Sequence, residues 1–170
     1  MRDLFGELGQ IGYVVDDLVA AAQGWYDITG IGPWRIHETS PLDHLTYEGA
    51  ATPAEIGIAT AYSGPLQIEL IAQYNDAPSM YRELRDSYGE GAQHVCFYPD
   101  DYDRALGHAV QNGMTVGQEG AISGIRFVYL RGEGGRVIEL ADLPRAVRHH
   151  QREAAAQSQS WDGADPIRIG

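Results

Sequence analysis

The chain has 170 residues, 24 of them Asp or Glu against 12 Lys or Arg, for a formal net charge of -12. Such a surface repels phosphate backbones and anionic headgroups, which argues against nucleic acid and membrane as partners, and no apolar stretch approaches the length of a membrane span. One cysteine, Cys96, excludes an internal disulfide, and residues 1–6 lack the apolar core of a signal peptide, so a cytoplasmic protein is expected.

In chain order, residues 10–15 have strand propensity and run into Asp16-Asp17, good helix caps. The spacing predicts a helix over 18–29, where Leu18, Ala21, Ala22, Trp25, Tyr26 and Ile28 form an apolar stripe that Gly30 and Gly32-Pro33 stop. Strands are expected at 34–37, 55–62 and 66–71, with a weaker signal at 45–47. A short helix over 78–88 connects two halves. A strand at 93–98, a helix over 102–112, and strands at 114–116, 125–130 and 136–140 follow. Gly132-Glu133-Gly134-Gly135 lacks the lysine and following helix of a phosphate loop and reads as a hairpin turn. A last helix spans 143–157. The polar residues 158–170 read as a loosely held tail, with Trp161 packing back on the body or on a partner subunit.

The order strand, helix, strand, strand, strand occurs twice. Gln10 aligns with His94 and Asp16-Asp17 with Asp100-Asp101 at one offset, while Glu69 aligns with Glu139 at a shorter one. A longer middle in the first half, between Trp34 and Glu55, accounts for the difference. Duplicated units usually pack about a pseudo-twofold axis with the functional site where they meet.

Glu69 and Glu139 each sit between Ile and Leu in an apolar strand. A carboxylate buried there is costly unless paired, protonated or bound to a metal. Pairing with Arg126 or Arg136 is the plain alternative. The repeat adds Gln10 and His94 from the first strand of each unit. An amide oxygen, an imidazole and two carboxylates suit one divalent ion such as zinc, nickel, cobalt or manganese. Such an ion makes a C–H beside a carbonyl acidic, and Glu139 and Glu69 are the expected catalytic pair, with Glu139 as base. Trp34, Arg35, Tyr47 and Arg126 are the substrate-binding candidates, although aromatic strand residues are more often core. His37 and His44 read as loop histidines, His149-His150 as a surface pair, and Cys96 as buried and inert.

The plan as a whole, with Val14-Val15-Asp16-Asp17-Leu18, Gly91-Ala92-Gln93-His94-Val95 and Val137-Ile138-Glu139-Leu140, resembles the vicinal oxygen chelate superfamily over residues 7–142. Within it the chain is most similar to the methylmalonyl-CoA epimerase and glyoxalase-like branch. The resemblance implies an α+β fold of two tandem βαβββ modules forming a cupped, mostly antiparallel mixed sheet around a central site, plus a C-terminal helix. The expected organisation is one domain over 1–145 (modules 7–75 and 91–142, linker helix 76–90), then a helix and tail over 146–170. It carries the family's metal ligands onto Gln10, Glu69, His94 and Glu139. The epimerases usually have His at the position of Gln10; the Gln-Glu-His-Glu set resembles instead the zinc-type glyoxalase I pattern. An extradiol dioxygenase, with its two-His iron site, does not match. The resemblance implies a homodimer acting as a metal-dependent isomerase, epimerase or glyoxalase-type lyase on a small-molecule carbonyl substrate, possibly a thioester. The alternatives are a non-catalytic sequestration protein and a lyase or cyclase of secondary metabolism on the same fold.

Overall fold

In the computed structural model, which describes residues 4–170, the first strand β1 (Leu8–Val14) leads into helix α1 (Leu18–Thr29). The Asp17 carboxylate caps α1 by accepting from the Ala20 N–H at 3.0 Å. Strands β2 (Trp34–His37), β3 (Leu42–Tyr47), β4 (Ala50–Ala51), β5 (Ile56–Ser63) and β6 (Leu66–Gln73) complete the first half, and helix α2 (Met80–Tyr88) connects it to the second. The second half runs β7 (Gly91–Phe97), α3 (Tyr102–Gln111), β8 (Thr115–Ile122), β9 (Ile125–Arg131), a 3-10 turn at Glu133–Gly135 and β10 (Val137–Ala141). Helix α4 (Arg145–Gln159) and a final strand β11 (Ile167–Ile169) close the described chain. The three residues before Leu4, which open the expected 1–145 domain and the N-terminus read for a signal peptide, lie outside the described residues.

All strands join one curled sheet in the order β11-β2-β5-β6-β1-β7-β10-β9-β8-β3-β4. The fold is the expected α+β half-barrel. The two units show the same local order, β1-β6-β5-β2 and β7-β10-β9-β8, back to back across the antiparallel β1–β7 seam. Strand alternation sorts the side chains. Ile68, Leu70 and Ala72 face outward with Trp34, Ile36 and Leu18 into the core under α1, and Val128, Leu130 and Leu140 face out under α3 with Tyr102 and Ala105. The inner face carries Val14, Ile71, Cys96, Phe127 and Tyr129, with Met80 and Tyr81 of α2 packed on it.

Three departures from the expectations matter. Strand β3 belongs by sequence to the first half but pairs with β8 of the second, Leu45 opposite Gly120. The expected 114–116 strand extends to Ile122, because pairing with β9 on one side and β3 on the other outweighs the poor strand propensity of Gly117, Glu119 and Gly120. The tail is not loosely held: Arg168 pairs with Arg35 in a parallel β11–β2 ladder, and the Ser158 hydroxyl donates to the Gly32 carbonyl at 2.6 Å. Trp161 packs back on the body. Its ring lies where a Cβ on Gly32 would stand, 2.8 Å away, so the close approach needs glycine there.

Candidate metal centre

The register of the central strands builds the site. Opposed residues in adjacent strands share a face, so Glu69 (β6), Gly12 (β1) and His94 (β7) form one row across the inner face. The neighbouring row is Gln67, Gln10, Cys96 and Glu139. The four residues aligned by the repeat therefore come from two adjacent rows straddling the seam. Gly12 sits between Glu69 and His94, and a Cβ there would lie 1.9 Å from the His94 ring. The imidazole occupies the space that glycine leaves.

Glu69, His94 and Glu139 each offer one ligand atom, all within 4.8 Å of one another. His94 Nε2 lies 3.0 Å from Glu139 Oε2, 3.3 Å from Gln10 Oε1 and 3.6 Å from Glu69 Oε2. All four residues are buried or nearly so, with His94 at 3% exposure. Three oxygens converge on one ring nitrogen that carries at most one proton. Glu139 Oε2 is buried and, despite its closeness to His94, has no hydrogen-bond partner. A buried carboxylate oxygen without a partner costs about 1–3 kcal/mol or more, and a cation relieves that cost. Donors bonded to one ion at roughly 2.0–2.2 Å stand about 2.9–3.6 Å apart, which matches the three distances from His94 Nε2. The donor set fits a divalent metal ion.

Surrounding groups fix the ligands. His94 Nδ1 lies 3.0 Å from Gln93 Oε1; an amide oxygen only accepts, so in the neutral ring the proton belongs on Nδ1 and Nε2 is left to ligate an ion. Gln10 Nε2 donates to Gln67 Oε1 at 2.8 Å, which turns the Gln10 oxygen toward His94. Gln67 Nε2 in turn donates to the Tyr62 hydroxyl at 2.9 Å. The Tyr129 ring packs edge-on against His94, with centroids 5.0 Å apart. Burial, then the charge of Glu139, pushes the Glu69 carboxyl up to about 7. For His94, burial lowers the pKa, but the charges of Glu139 and Glu69 outweigh it and the net shift is upward.

The substrate-binding candidates are not brought to this group. Trp34 is fully buried on the opposite face, under α1. Tyr47 donates to Glu83 at 3.1 Å beside Arg131, at the β3 side of the molecule. Arg126 holds Asp142 and Asp103 and stacks on Tyr102. Arg35 is on the inner face, in a smaller cavity under α4. Neither Arg126 nor Arg136 reaches Glu69 or Glu139; Arg136 binds the Glu133 carbonyl instead. Sequence reasoning missed Gly12, Gln93 and Gln67, of which only Gln67 had a signal, two residues before Glu69 on the same strand face. It also missed a cavity of about 760 Å³ that reaches Gln67, the partner of Gln10, and is lined as well by Leu8, Tyr62, Tyr98 and the α4 residues Gln151 and Ala155.

A family profile described as the Glyoxalase/Bleomycin resistance protein/Dioxygenase superfamily matches residues 9–129. No curated protein matches the sequence. Among solved structures, the chain is similar to methylmalonyl-CoA epimerase from Mycobacterium tuberculosis at 19% identity and TM-score 0.58, over 86% of this chain and 95% of that one. A hypothetical protein from Bacillus halodurans C-125 matches at 16% identity and TM-score 0.58, over 82% and 95%. A methylmalonyl-CoA epimerase in complex with methylmalonyl-CoA and NH4+ matches at 18% identity and TM-score 0.52, over 81% and 94%. At these identities the likeness is one of fold.

Proposed function

The chain belongs to the glyoxalase/bleomycin resistance protein/dioxygenase superfamily, and on that premise we propose that it is a metal-dependent enzyme moving a proton next to the carbonyl of a small molecule, as an epimerase or glyoxalase-type catalyst. The observation that carries the reading is the convergence of Glu69, His94 and Glu139 within 4.8 Å, with Glu139 Oε2 buried and unpartnered. Gln10, Glu69, His94 and Glu139 hold one divalent ion in this reading. The bound ion would supply Lewis acidity toward the substrate carbonyl oxygen, worth several kcal/mol of charge stabilisation.

The proton work falls to the chain. Glu139 and Glu69 would alternate between holding the ion and moving the proton, with Glu139 the base, because its Oε2 has no hydrogen bond to give up when it leaves the ion. Glu69 is the complementary acid. Burial and Glu139 push its carboxyl up to about 7 in the metal-free chain, so it takes up a proton readily whenever it leaves the ion. Gln93 and Gln67 keep His94 and Gln10 aimed, and the apolar inner face excludes water. A 2-methyl-branched acyl thioester such as methylmalonyl-CoA and the hemithioacetal of a 2-oxoaldehyde are the two carbonyl classes that the reading admits, and a homodimer is the assembly it implies.

Two measurements test this. Purified protein should hold about one divalent metal per chain. In deuterium oxide it should exchange the hydrogen next to the carbonyl of methylmalonyl-CoA or of a 2-oxoaldehyde hemithioacetal, and Glu139→Gln should slow exchange about 10²- to 10⁴-fold. Full exchange in Glu139→Gln would remove Glu139 from the base role. A reconstituted protein that takes up no metal and exchanges neither compound is a binding protein instead.

A further inference from the structure

Helix α4 and strand β11 lie beyond the residues that the family profile matches, and with β2 and β5 they border a second, solvent-open cavity of about 190 Å³. Arg35 and Arg168 both line it, and they are direct cross-strand partners in the β2–β11 ladder. Like charges opposed across a ladder repel. The chain has twice as many acidic as basic residues with which to neutralise them, and Arg82, Arg85, Arg126, Arg131 and Arg148 each hold a carboxylate. Among the described residues neither Arg35 nor Arg168 does, nor do Arg104, Arg136, Arg145 and Arg152, but only Arg35 and Arg168 of these are cross-strand partners, and no Asp or Glu lines the cavity. Arg168 is held by backbone carbonyls, donating to Asp165 at 3.1 Å and Ala164 at 3.3 Å, which positions its charge without cancelling it. Tyr62, also in the wall, accepts from Gln67 and keeps its hydroxyl proton free to donate.

The register links this pocket to the metal centre. Arg168 is opposite Arg35, Arg35 opposite Thr60, Thr60 opposite Glu69, and Glu69 opposite Gly12, which faces His94. One cross-strand row on one face therefore runs from the arginine pair to the imidazole. Arg35 and Glu69 are two strand spacings apart, about 10 Å between backbones. Two uncancelled guanidinium groups side by side match a dianion better than a monoanion, and a phosphate monoester carries about -1.5 to -2 at pH 7.

We propose that the Arg35–Arg168 pocket under α4 binds a phosphate-type dianionic group, and that this group is the far end of the molecule whose carbonyl reacts at Glu69, His94 and Glu139. The second part rests on the proton-transfer reading; the first does not. Trp161 lines the same pocket and serves as the reporter. At fixed ionic strength, inorganic phosphate should change Trp161 fluorescence saturably, acetate should do so at least tenfold more weakly, and Trp161→Phe should abolish the signal. Arg35→Gln should weaken phosphate binding at least tenfold without altering metal content. Arg168→Lys, which retains a donor toward the backbone carbonyls, should weaken it less. No saturable signal, equal binding of acetate, or unchanged binding in Arg35→Gln overturns the pocket assignment and leaves the Glu139 exchange test untouched. Arg35-dependent phosphate binding without proton exchange keeps the pocket and removes its link to the reaction. With exchange present, phosphate should inhibit it competitively in the wild type and lose that effect in Arg35→Gln.

Discussion

A methyl group at Gly12 would collide with the His94 imidazole at 1.9 Å, and the ring has little freedom to retreat because Gln93 and Tyr129 hold it. Gly12→Ala should therefore cost about 1–3 kcal/mol by overpacking and weaken metal binding about 10- to 100-fold, as loss of ligand orientation does elsewhere. Equilibrium dialysis with zinc checks this; a variant that binds zinc as tightly as wild type would show that the His94 position is not required. Gly12 could not be found from the sequence, since its role depends on the β1–β7 register. Glu69 and Glu139 were legible because a carboxylate between Ile and Leu is anomalous wherever it occurs, and His94 and Gln10 because the repeat placed them. Trp34 is core, the plainer reading of an aromatic strand residue: it and Arg35 are adjacent in sequence and so face opposite sides of the sheet.

At the scale of elements, the repeat made most strands legible and the C-terminal extension was not. Three residues, Ile167-Arg168-Ile169, are too short a run for their alternation to be read as a strand, and they form β11 because β2 offers an open edge. Its ladder includes the Gly170 N–H donating to the Ile36 carbonyl at 2.9 Å, while the preceding loop puts Pro166 on the Trp34 N–H at 2.8 Å. Ending the chain at Gln159 should remove these bonds and the Trp161 cover over Gly32 and Tyr26. The cost should be about 2–3 kcal/mol, or a Tm lower by about 4–12 °C for a chain of this size. Scanning calorimetry reads it directly, and an unchanged Tm would mean that β11 adds nothing to the sheet. Metal content should stay the same, because the ligand rows are central and β11 is at the edge.

For the whole molecule, the metal-free and metal-loaded forms should respond to pH with opposite sign. The folded chain binds the Glu69 proton more tightly than the unfolded chain, pushed up to about 7 from 4.5, and His94 is also raised. A raised pKa contributes stability that is complete below the unfolded value and lost as pH climbs through the folded one. The metal-free protein should thus lose on the order of 3 kcal/mol between about pH 4.5 and pH 7, with His94 extending the loss further. Metal ligands must be deprotonated, so stabilisation by zinc should grow over the same window. Tm measured against pH with chelator and with zinc should give two curves that separate as pH rises. Parallel curves would mean that these groups do not hold the ion.

The crossing of β3 to β8 has a consequence for how the chain acquires its shape in time. Leu45 meets Gly120 seventy-five residues downstream, so a ladder that begins in the first half waits until β7, α3 and then β8 of the second have been made. A nascent chain that has extruded β1 to β6 already has the strands and helix of its α1 side, yet β3 has no partner on its long edge. That edge is an open template for pairing with other chains. Pairings this distant in sequence are slow to close, and during synthesis the interval before β8 appears is the period in which this protein is most exposed to misassembly.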